Sequence, residues 1–340
     1  MSDRVLLTGI SGFLGGHVAL QLLNAGYIVR GSVRNLSKAD KVRATLAKAG
    51  ADTSRLEFVA LDLMNDAGWD AAMADCRYLQ HTASPFVLKM PEDKMELIGP
   101  AVDGTTRAIS AALRAGVVRI VLTSSMAAIA YGHDKSRTEP FTGSDWTNLE
   151  SRAVNAYVQS KTLAERRAWD LMDAAGRHND LVTINPSAIL GPLLDEDPGT
   201  SATLVQRLLN GSVPAAPRIP LVIIDVRDVA AAHVAAMTAP AAGGQRFPMG
   251  ERSLFFLEAA NILRAHLPEN AGRIPRFEMP DWAVRLYSLF DKDVRSNLGE
   301  LGVLKRLDSA AAITLLGRPL IPAAAALTAT GETLLAEGLV

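Results

Sequence analysis

Residues 1–16, MSDRVLLTGISGFLGG, decide how the rest of the chain is read. The apolar run Val5–Leu7 predicts a buried strand. Thr8-Gly9-Ile10-Ser11-Gly12-Phe13-Leu14-Gly15 then breaks into a glycine-spaced turn, and His17–Asn24 predicts a helix. This succession presents backbone N–H groups and a helix N-terminus to a pyrophosphate. Gly9 permits the tight turn, Gly12 the close approach of a dinucleotide, and Gly15 close packing of the helix on the sheet. Ser11, Phe13 and Leu14 complete the expected cofactor cradle. The spacing is Gly-x-x-Gly-x-x-Gly rather than the commoner Gly-x-Gly-x-x-Gly. The strand before it and the helix after it carry the reading, against that of an ordinary turn.

The 340 residues suffice for one large or two ordinary domains. Hydrophobic residues make up 49% and charged residues 21%, the balance of a soluble globular protein. A net charge of −1 leaves no basic footprint for nucleic acid or an anionic membrane surface. The single cysteine, Cys76, excludes an intramolecular disulfide, reads as a small buried hydrophobe and fits a reducing cytoplasm. Nothing resembles a signal peptide, and the apolar stretch Ala323–Leu327 is too short to cross a bilayer. A cytoplasmic protein without nucleic-acid, membrane or metal partners is expected.

Tyr27–Val33 predicts a second strand. The residue just past it reads the adenosine ribose: a carboxylate suits a 2′-hydroxyl, an arginine a 2′-phosphate. Here the chain offers Ser32 and Arg34, with no carboxylate before Asp40. Arg34 favours NADP over NAD because its guanidinium forks onto phosphate oxygens. Lys41, in a helix predicted over Ser37–Ala49, adds a second cation. The competing reading of Arg34 is a solvated surface arginine. Leu56–Leu61 predicts the third strand and ends in Asp62-Leu63, beside the adenine pocket, where the carboxylate accepts from the adenine amine or caps a turn. A short helix over Asp66–Asp75 leads to a fourth strand, Arg77–Thr82. The small residues Thr82-Ala83-Ser84 at its end suit passage of a nicotinamide ribose, with His81 packed in the strand rather than catalytic. A long helix, Glu92–Ala115, precedes a fifth strand, Val117–Leu122, whose β-branched residues suit burial on both faces. It ends in Thr123-Ser124-Ser125. Five strands alternating with helices predict an α/β fold: a Rossmann-type, doubly wound parallel sheet.

In the helix predicted over Arg152–Met172, Tyr157 and Lys161 stand four apart and share a face. A tyrosine with a pKa of about 10 is a poor acid–base catalyst at neutral pH. A neighbouring ammonium favours the phenolate and brings the group toward the working range. The lysine also reaches the nicotinamide ribose hydroxyls. Ser125, at the carboxyl end of the fifth strand, is placed to hydrogen-bond a substrate oxygen in the crevice where open α/β sheets bind ligands. Tyr-x-x-x-Lys alone is common in helices; its weight comes from the glycine turn and the serine-ended strand that accompany it.

These segments together resemble the extended short-chain dehydrogenase/reductases, and most closely the dihydroflavonol reductase, cinnamoyl-CoA reductase and yeast carbonyl reductase group. The matching stretches are Thr8–Gly15, Val33-Arg34-Asn35, His81–Pro85, Thr123-Ser124-Ser125, Tyr157–Lys161 and Asn185-Pro186. Asp225–Ala230 and Leu315–Pro319 add two more. The resemblance implies that Ser125 positions a carbonyl, Tyr157 donates a proton, and Lys161 lowers the tyrosine pKa and binds ribose. It further implies that Arg34 and Lys41 hold the 2′-phosphate of NADPH, and it brings Pro186 into the cofactor set. Two departures stand out: Ile129–Ser151 carries no motif matching the plant enzymes' substrate segment, and Leu79-Gln80 replaces the usual apolar pair.

Residues 1–186 are therefore expected to form the NADP-binding domain, and 187–340 mainly a smaller mixed substrate lobe, with 221–240 returning to the first. Helices are predicted over Ala202–Leu209, Val229–Thr238, Leu254–His266 and Ala325–Glu337, and a strand over Leu221–Ile224. Ile189-Leu190-Gly191-Pro192 on one side, and Phe86 and Met90 on the other, serve as pocket walls or simply as apolar core. The expected activity is NADP(H)-dependent reduction of an aldehyde or ketone, reversible as a secondary alcohol dehydrogenase. Few charges near the presumed walls point to an apolar or aromatic substrate. An NAD-dependent nucleotide-sugar epimerase or dehydratase is opposed by Arg34, and a non-catalytic NADP-binding sensor by the complete Ser–Tyr–Lys set. The two long helices resemble those through which this superfamily forms homodimers.

Overall fold

Strand β1 (Arg4–Thr8) carries Val5, Leu6 and Leu7 fully buried, and their alternation sets the layers of the molecule. Val5 and Leu7 enter one apolar core and Leu6 the other, as a strand covered on both faces requires. The structure is a computed structural model that describes residues 3–85, 93–196, 199–290, 294–295 and 298–340. After β1 come α1 (Phe13–Asn24), β2 (Ile28–Val33), α2 (Ala39–Lys48), β3 (Leu56–Ala60), α3 (Trp69–Met73) and β4 (Tyr78–His81). Next are α4 (Met95–Arg114), β5 (Arg119–Thr123), α5 (Ala156–Ala174) and β6 (Leu181–Pro186). The chain continues through β7 (Ala188–Leu190), α6 (Gly199–Leu209), β8 (Ala216–Pro217), β9 (Pro220–Asp225), α7 (Val226–Thr238) and β10 (Arg246–Met249). It closes with β11 (Arg252–Phe255), α8 (Phe256–His266), β12 (Glu278–Met279), α9 (Asp281–Tyr287), α10 (Ala310–Leu316) and α11 (Ala323–Ala336).

Seven strands form one parallel sheet in the order β10-β6-β5-β4-β1-β2-β3. The Rossmann-type architecture is therefore as expected, and the sheet is wider than the five strands counted above. Strand β10 was missed because it is four residues long and contains Pro248, which is tolerated at a sheet edge. Strand order reverses between β1 and β4, which opens a crevice at their carboxyl ends. Helices α1, α2 and α7 cover one face, and α3, α4 and α5 the other. Truncating a fully buried strand residue such as Leu6 or Ile120 to alanine costs about 2–5 kcal/mol.

Several helix ends moved for local reasons. α1 begins at Phe13, four residues early, because extended Gly12 is its N-cap. α5 begins at Ala156, since the Asn155 side chain accepts from the Val158 N–H at 3.0 Å and caps it there. The helix expected over Asp66–Asp75 shrinks to α3, bounded by Gly68 at φ +86° and Asp75 at φ +59°. A 3-10 turn over Leu36–Lys38 replaces the start of the helix expected from Ser37. Glu92, Phe86 and Met90 lie outside the described residues.

Gln80, which departs from the apolar pair the resemblance implies, is fully buried and pairs with the equally buried His233 on α7. Its Oε1 lies 2.7 Å from His233 Nδ1, and its amide donates to the His233 carbonyl at 2.8 Å. The polar departure in β4 is thus matched by a polar partner on α7. Two distant sequence signatures also meet. Asp225 caps α7, and buried Asp228 on its first turn pairs with Arg318 at 2.6 Å and accepts from the Ile321 N–H at 2.6 Å. They tie the C-terminal segment to α7.

The second sheet, β11-β9-β7, is mixed and is covered by α6, α8 and α11 around a separate apolar core. β8 and β12 pair as a two-residue ladder beside it. The short helices α9 and α10 were not foreseen. Among the described residues, no helix is long and apolar enough to cross a membrane, and no cluster of three or more His, Cys, Asp or Glu is placed to hold a metal.

Candidate functional site

The glycine turn closes on itself. Gly12 N–H donates to the Gly9 carbonyl at 3.0 Å, and Gly9 sits at φ +74°, a conformation that L side chains rarely adopt. A Cβ at Gly9 would lie 2.9 Å from the Ala83 backbone, and one at Gly15 only 2.0 Å from the Gly9 carbonyl oxygen. Gly15 therefore lets α1 pack on the turn itself. Gly12 is exposed, and a Cβ there would meet nothing nearer than 3.4 Å, so the groove above it is open. The first N–H groups of α1, at Phe13 and Leu14, have no partner within the helix and face that groove as donors. Ser11, Gly12 and Phe13 line an open groove with Val42, Leu194 and Asp195. This places the stretch after β7 beside the turn. His17 fastens it there through Nε2 to the Pro192 carbonyl at 2.9 Å.

The end of β4 is bolted to the end of β1. Thr82 donates its hydroxyl to the Thr8 carbonyl at 2.6 Å, Ala83 N–H reaches Thr8 Oγ1 at 3.2 Å, and the same hydroxyl lies 2.8 Å from His81 Nδ1. His81 is packed in the strand as expected. Burial and then the charge of Lys161 push its pKa down to about 4, so the ring is neutral.

At the ribose end, Ser32 is buried and turns inward, its Oγ 3.4 Å from Gly9 N–H. Arg34 is exposed past β2 and has no ion-pair partner among the described residues. Lys41 is also exposed and sits 3.6 Å from Glu196. Asp62 is exposed and spends one oxygen on a turn, accepting from the Met64 N–H at 2.9 Å. Leu63 packs against Gly104 and lines a second open pocket with His81, Ser84, Thr105, Ser124 and Lys161. An open glycine groove at one end and an unpaired guanidinium at the other fit a dinucleotide carrying a 2′-phosphate.

Helix α5 brings the chemistry to the crevice. Tyr157 is 42% exposed, so its phenol is reachable from solvent. Lys161 Nζ lies 5.8 Å from the Tyr157 ring centroid and donates to Ser84 Oγ at 2.8 Å, which links α5 to the end of β4. Ser125 caps a 3-10 turn over Met126–Ala128, its Oγ accepting from Ala127 N–H at 3.1 Å. That bond occupies a lone pair and leaves the hydroxyl proton free to point elsewhere. The turn rests on α5: Ala127 and Val158 share one apolar cluster, and Thr162 donates to the Ala127 carbonyl at 3.3 Å. Pro186 is buried at the end of β6, paired with Met249 of β10.

Other residues at this centre were not singled out from the sequence. Tyr131, in the stretch without a motif, packs against Val158 in the same cluster, and burial raises its pKa to about 12, with Tyr157 adding to the rise. Lys305 Nζ lies 4.4 Å from the Tyr131 ring centroid and pairs with Glu300; burial, with Lys135 nearby, pushes its pKa down to about 8. Met126, Ile129, Ala130, Phe141 and Val222 form an apolar wall beside Tyr131. Below Lys161, the buried carboxylate of Glu165 is surrounded by donors from three strands. The only sequence signal for Glu165 was its spacing, four residues beyond Lys161.

A family described as NAD dependent epimerase/dehydratase matches residues 5–250. A cinnamoyl-CoA reductase of Medicago truncatula is 35% identical over 272 residues, covering 79% of this chain and 82% of that protein. A ketoreductase of Aspergillus niger is 33% identical over 299 residues, covering 83% and 87%. Among solved structures, Gre2 of Candida albicans in complex with NADPH superposes with a TM-score of 0.79 at 26% identity, covering 98% of this chain and 99% of that one.

Proposed function

This chain belongs to the NAD dependent epimerase/dehydratase family, the extended short-chain dehydrogenase/reductases, and we propose that it is an NADPH-dependent reductase of aldehydes or ketones that also runs in reverse as a secondary alcohol dehydrogenase. It is an NADP-dependent oxidoreductase acting between CH–OH and C=O. One observation carries the finer reading. Lys161 stands between the Tyr157 ring and Ser84 while the Ser125 turn is seated on the same helix, so donor, cation and hydroxyl are gathered at one sheet edge.

Gly9, Ser11, Gly12, Phe13, Leu14 and Gly15 would hold the pyrophosphate of NADPH, and Arg34, with Lys41, would hold the 2′-phosphate. Asp62, Leu63, Thr82 and Pro186 border the remainder. Bound NADPH supplies a hydride to the carbonyl carbon. Ser125, its oxygen already accepting from Ala127, donates a hydrogen bond to the substrate oxygen and fixes its direction. Tyr157 gives that oxygen its proton, and the Lys161 ammonium stabilises the phenolate left behind. The apolar wall beside Tyr131 favours an apolar or aromatic carbonyl compound. We further assign residues 1–186 to a cofactor domain and most of 187–340 to a substrate lobe. A cytoplasmic setting and a homodimer through α4 and α5 complete the reading, the latter open to sedimentation analysis.

The test is a panel of aldehydes and ketones followed by NADPH absorbance, with NADH in parallel, on the wild type and Tyr157→Phe. Turnover should fall by roughly 10²–10⁴-fold in the variant, the contribution of a lost general acid, with NADPH binding retained. Near-normal turnover would remove Tyr157 from the role of proton donor.

A further inference from the structure

Tyr157, Lys161 and Glu165 stand at successive fourth positions of α5, and each step of four residues advances about 40° around a helix. That drift carries the stripe from exposed Tyr157, through half-buried Lys161, to Glu165 at 1% exposed. A carboxylate this deep requires donors, and it finds them on three separate strands. Ser124, at the end of β5, donates its hydroxyl to Glu165 Oε2. From β6, Asn185 Nδ2 donates to the same oxygen at 2.7 Å, and Thr183 Oγ1 lies 3.2 Å from Oε1. From β10, Arg246 Nε donates to Oε1 at 2.6 Å, and the pair is closed from solvent. Trp169, one turn further along α5, adds its indole N–H at 3.2 Å.

The same partners reach the reacting end. Ser124 is the neighbour of Ser125, and Asn185 Nδ2 also lies 3.3 Å from the Ser125 carbonyl. Arg246 donates to the carbonyls of Gly143 and Asp145 and stacks 3.7 Å over the Trp146 ring, which ties down the loop before α5. Ser125 and the Tyr157–Lys161 pair belong to different elements and, among the described residues, share no direct hydrogen bond. Glu165, a residue of the helix that carries Tyr157, is bonded to the strand end that carries Ser125, and the Thr162–Ala127 bond from the same helix lies beside it.

We propose that Glu165 is a positioning residue: its buried carboxylate, held by Ser124, Asn185 and Arg246, sets the distance between Ser125 and the Tyr157–Lys161 pair. At 1% exposed it acts through its partners rather than on the reacting atoms, and the proposal rests on the catalytic reading of those three residues. A misplacement of about 1 Å between reacting groups is enough to cost up to about 100-fold in rate.

The experiment compares Glu165→Asp, Glu165→Gln and Ser124→Ala with the wild type and with Tyr157→Phe. The measurements are kcat, KM for NADPH, NADPH dissociation constant by fluorescence, and Tm. Glu165→Asp keeps the charge opposite Arg246 but shortens the reach; Ser124→Ala removes one donor from the strand end and leaves the buried ion pair intact. Both are expected to bind NADPH within about twofold of wild type while kcat falls roughly 10- to 100-fold. A purely structural role would lower Tm and leave kcat of the folded protein unchanged, and that result in Ser124→Ala and Glu165→Asp overturns the proposal. Should Glu165→Gln fail to fold, those two variants decide. Loss of turnover in Tyr157→Phe with wild-type kcat in the Glu165 and Ser124 variants removes the positioning role alone. Full turnover in Tyr157→Phe removes the catalytic reading beneath it.

Discussion

Two ends of one crevice are built in opposite ways. The glycine turn at β1–α1 is a site of backbone: its donors are main-chain N–H groups, and its shape is enforced by three missing side chains within seven residues. The proposed catalytic centre at the ends of β5 and α5 is a site of side chains, set over a buried polar cluster drawn from residues 124 to 246. A backbone site fails when something is added. A side-chain site fails when something is taken away or shifted. Beneath each lies a buried neutral histidine: His81 against Thr8 at the first, and His233 against Thr123, 2.9 Å away, at the second.

The largest expected effect is at the side-chain end, the roughly 10²–10⁴-fold loss of turnover in Tyr157→Phe already described. Next comes an addition at the backbone end. Gly15→Ala places a methyl 2.0 Å from the Gly9 carbonyl oxygen, where only movement of α1 can relieve it. Stability should fall by about 1–3 kcal/mol or more, and NADPH affinity with it, measured by thermal melts with and without cofactor. A variant that melts and binds as wild type would show that the turn is not closed as described.

Arg34→Ala removes charge-assisted bonds to a 2′-phosphate. We expect NADPH to bind about 10- to 100-fold more weakly, the equivalent of about 1.5–3 kcal/mol, while NADH binding barely changes. An equal loss for both cofactors would show that Arg34 does not read the phosphate.

Acid should loosen both ends together. Burial holds His81 at a pKa of about 4 and His233 at about 3, against about 6.5 in an unfolded chain. As pH falls below about 6.5 the unfolded chain takes up these protons and the folded one does not. Stability is therefore unaffected by the pair above that pH and declines from there toward pH 4. Each histidine contributes about 1.4 kcal/mol per pH unit within the window. Denaturant melts at pH 7, 6 and 5 should show the slope, and His233→Gln should flatten it. The smallest effect is expected at Glu196→Gln: the exposed pair with Lys41 is screened, so KM for NADPH should drop by less than about threefold.

The contrast also explains what could be read from the sequence. Gly9, Gly12 and Gly15 lie within one turn, so their spacing alone suggests the role proposed for them; the same holds for Tyr157 and Lys161, one helical turn apart. Arg34 could be singled out for a proposed role because strand β2 ends just before it. Glu165, Asn185 and Arg246 were not legible, since nothing in their spacing says that positions 20 and 81 residues beyond Glu165 return to it. Tyr131 and Lys305 stayed hidden for the same reason, and Gln80 was noticed as a departure but understood only beside His233.

The sequence by itself determined the parallel sheet and the glycine turn, and it supplied the residues proposed to do the chemistry. The continuous apolar runs of β1 and β5, glycine spacing and the i, i+4 pair are all rules of local geometry. Tertiary structure alone decided the seventh strand, the pairing of Asp228 with Arg318, and the buried cluster around Glu165 that joins Ser125's strand to Tyr157's helix. A buried charge can be placed by any donors that reach it, from anywhere along the chain, and only the folded arrangement of strands says which ones do.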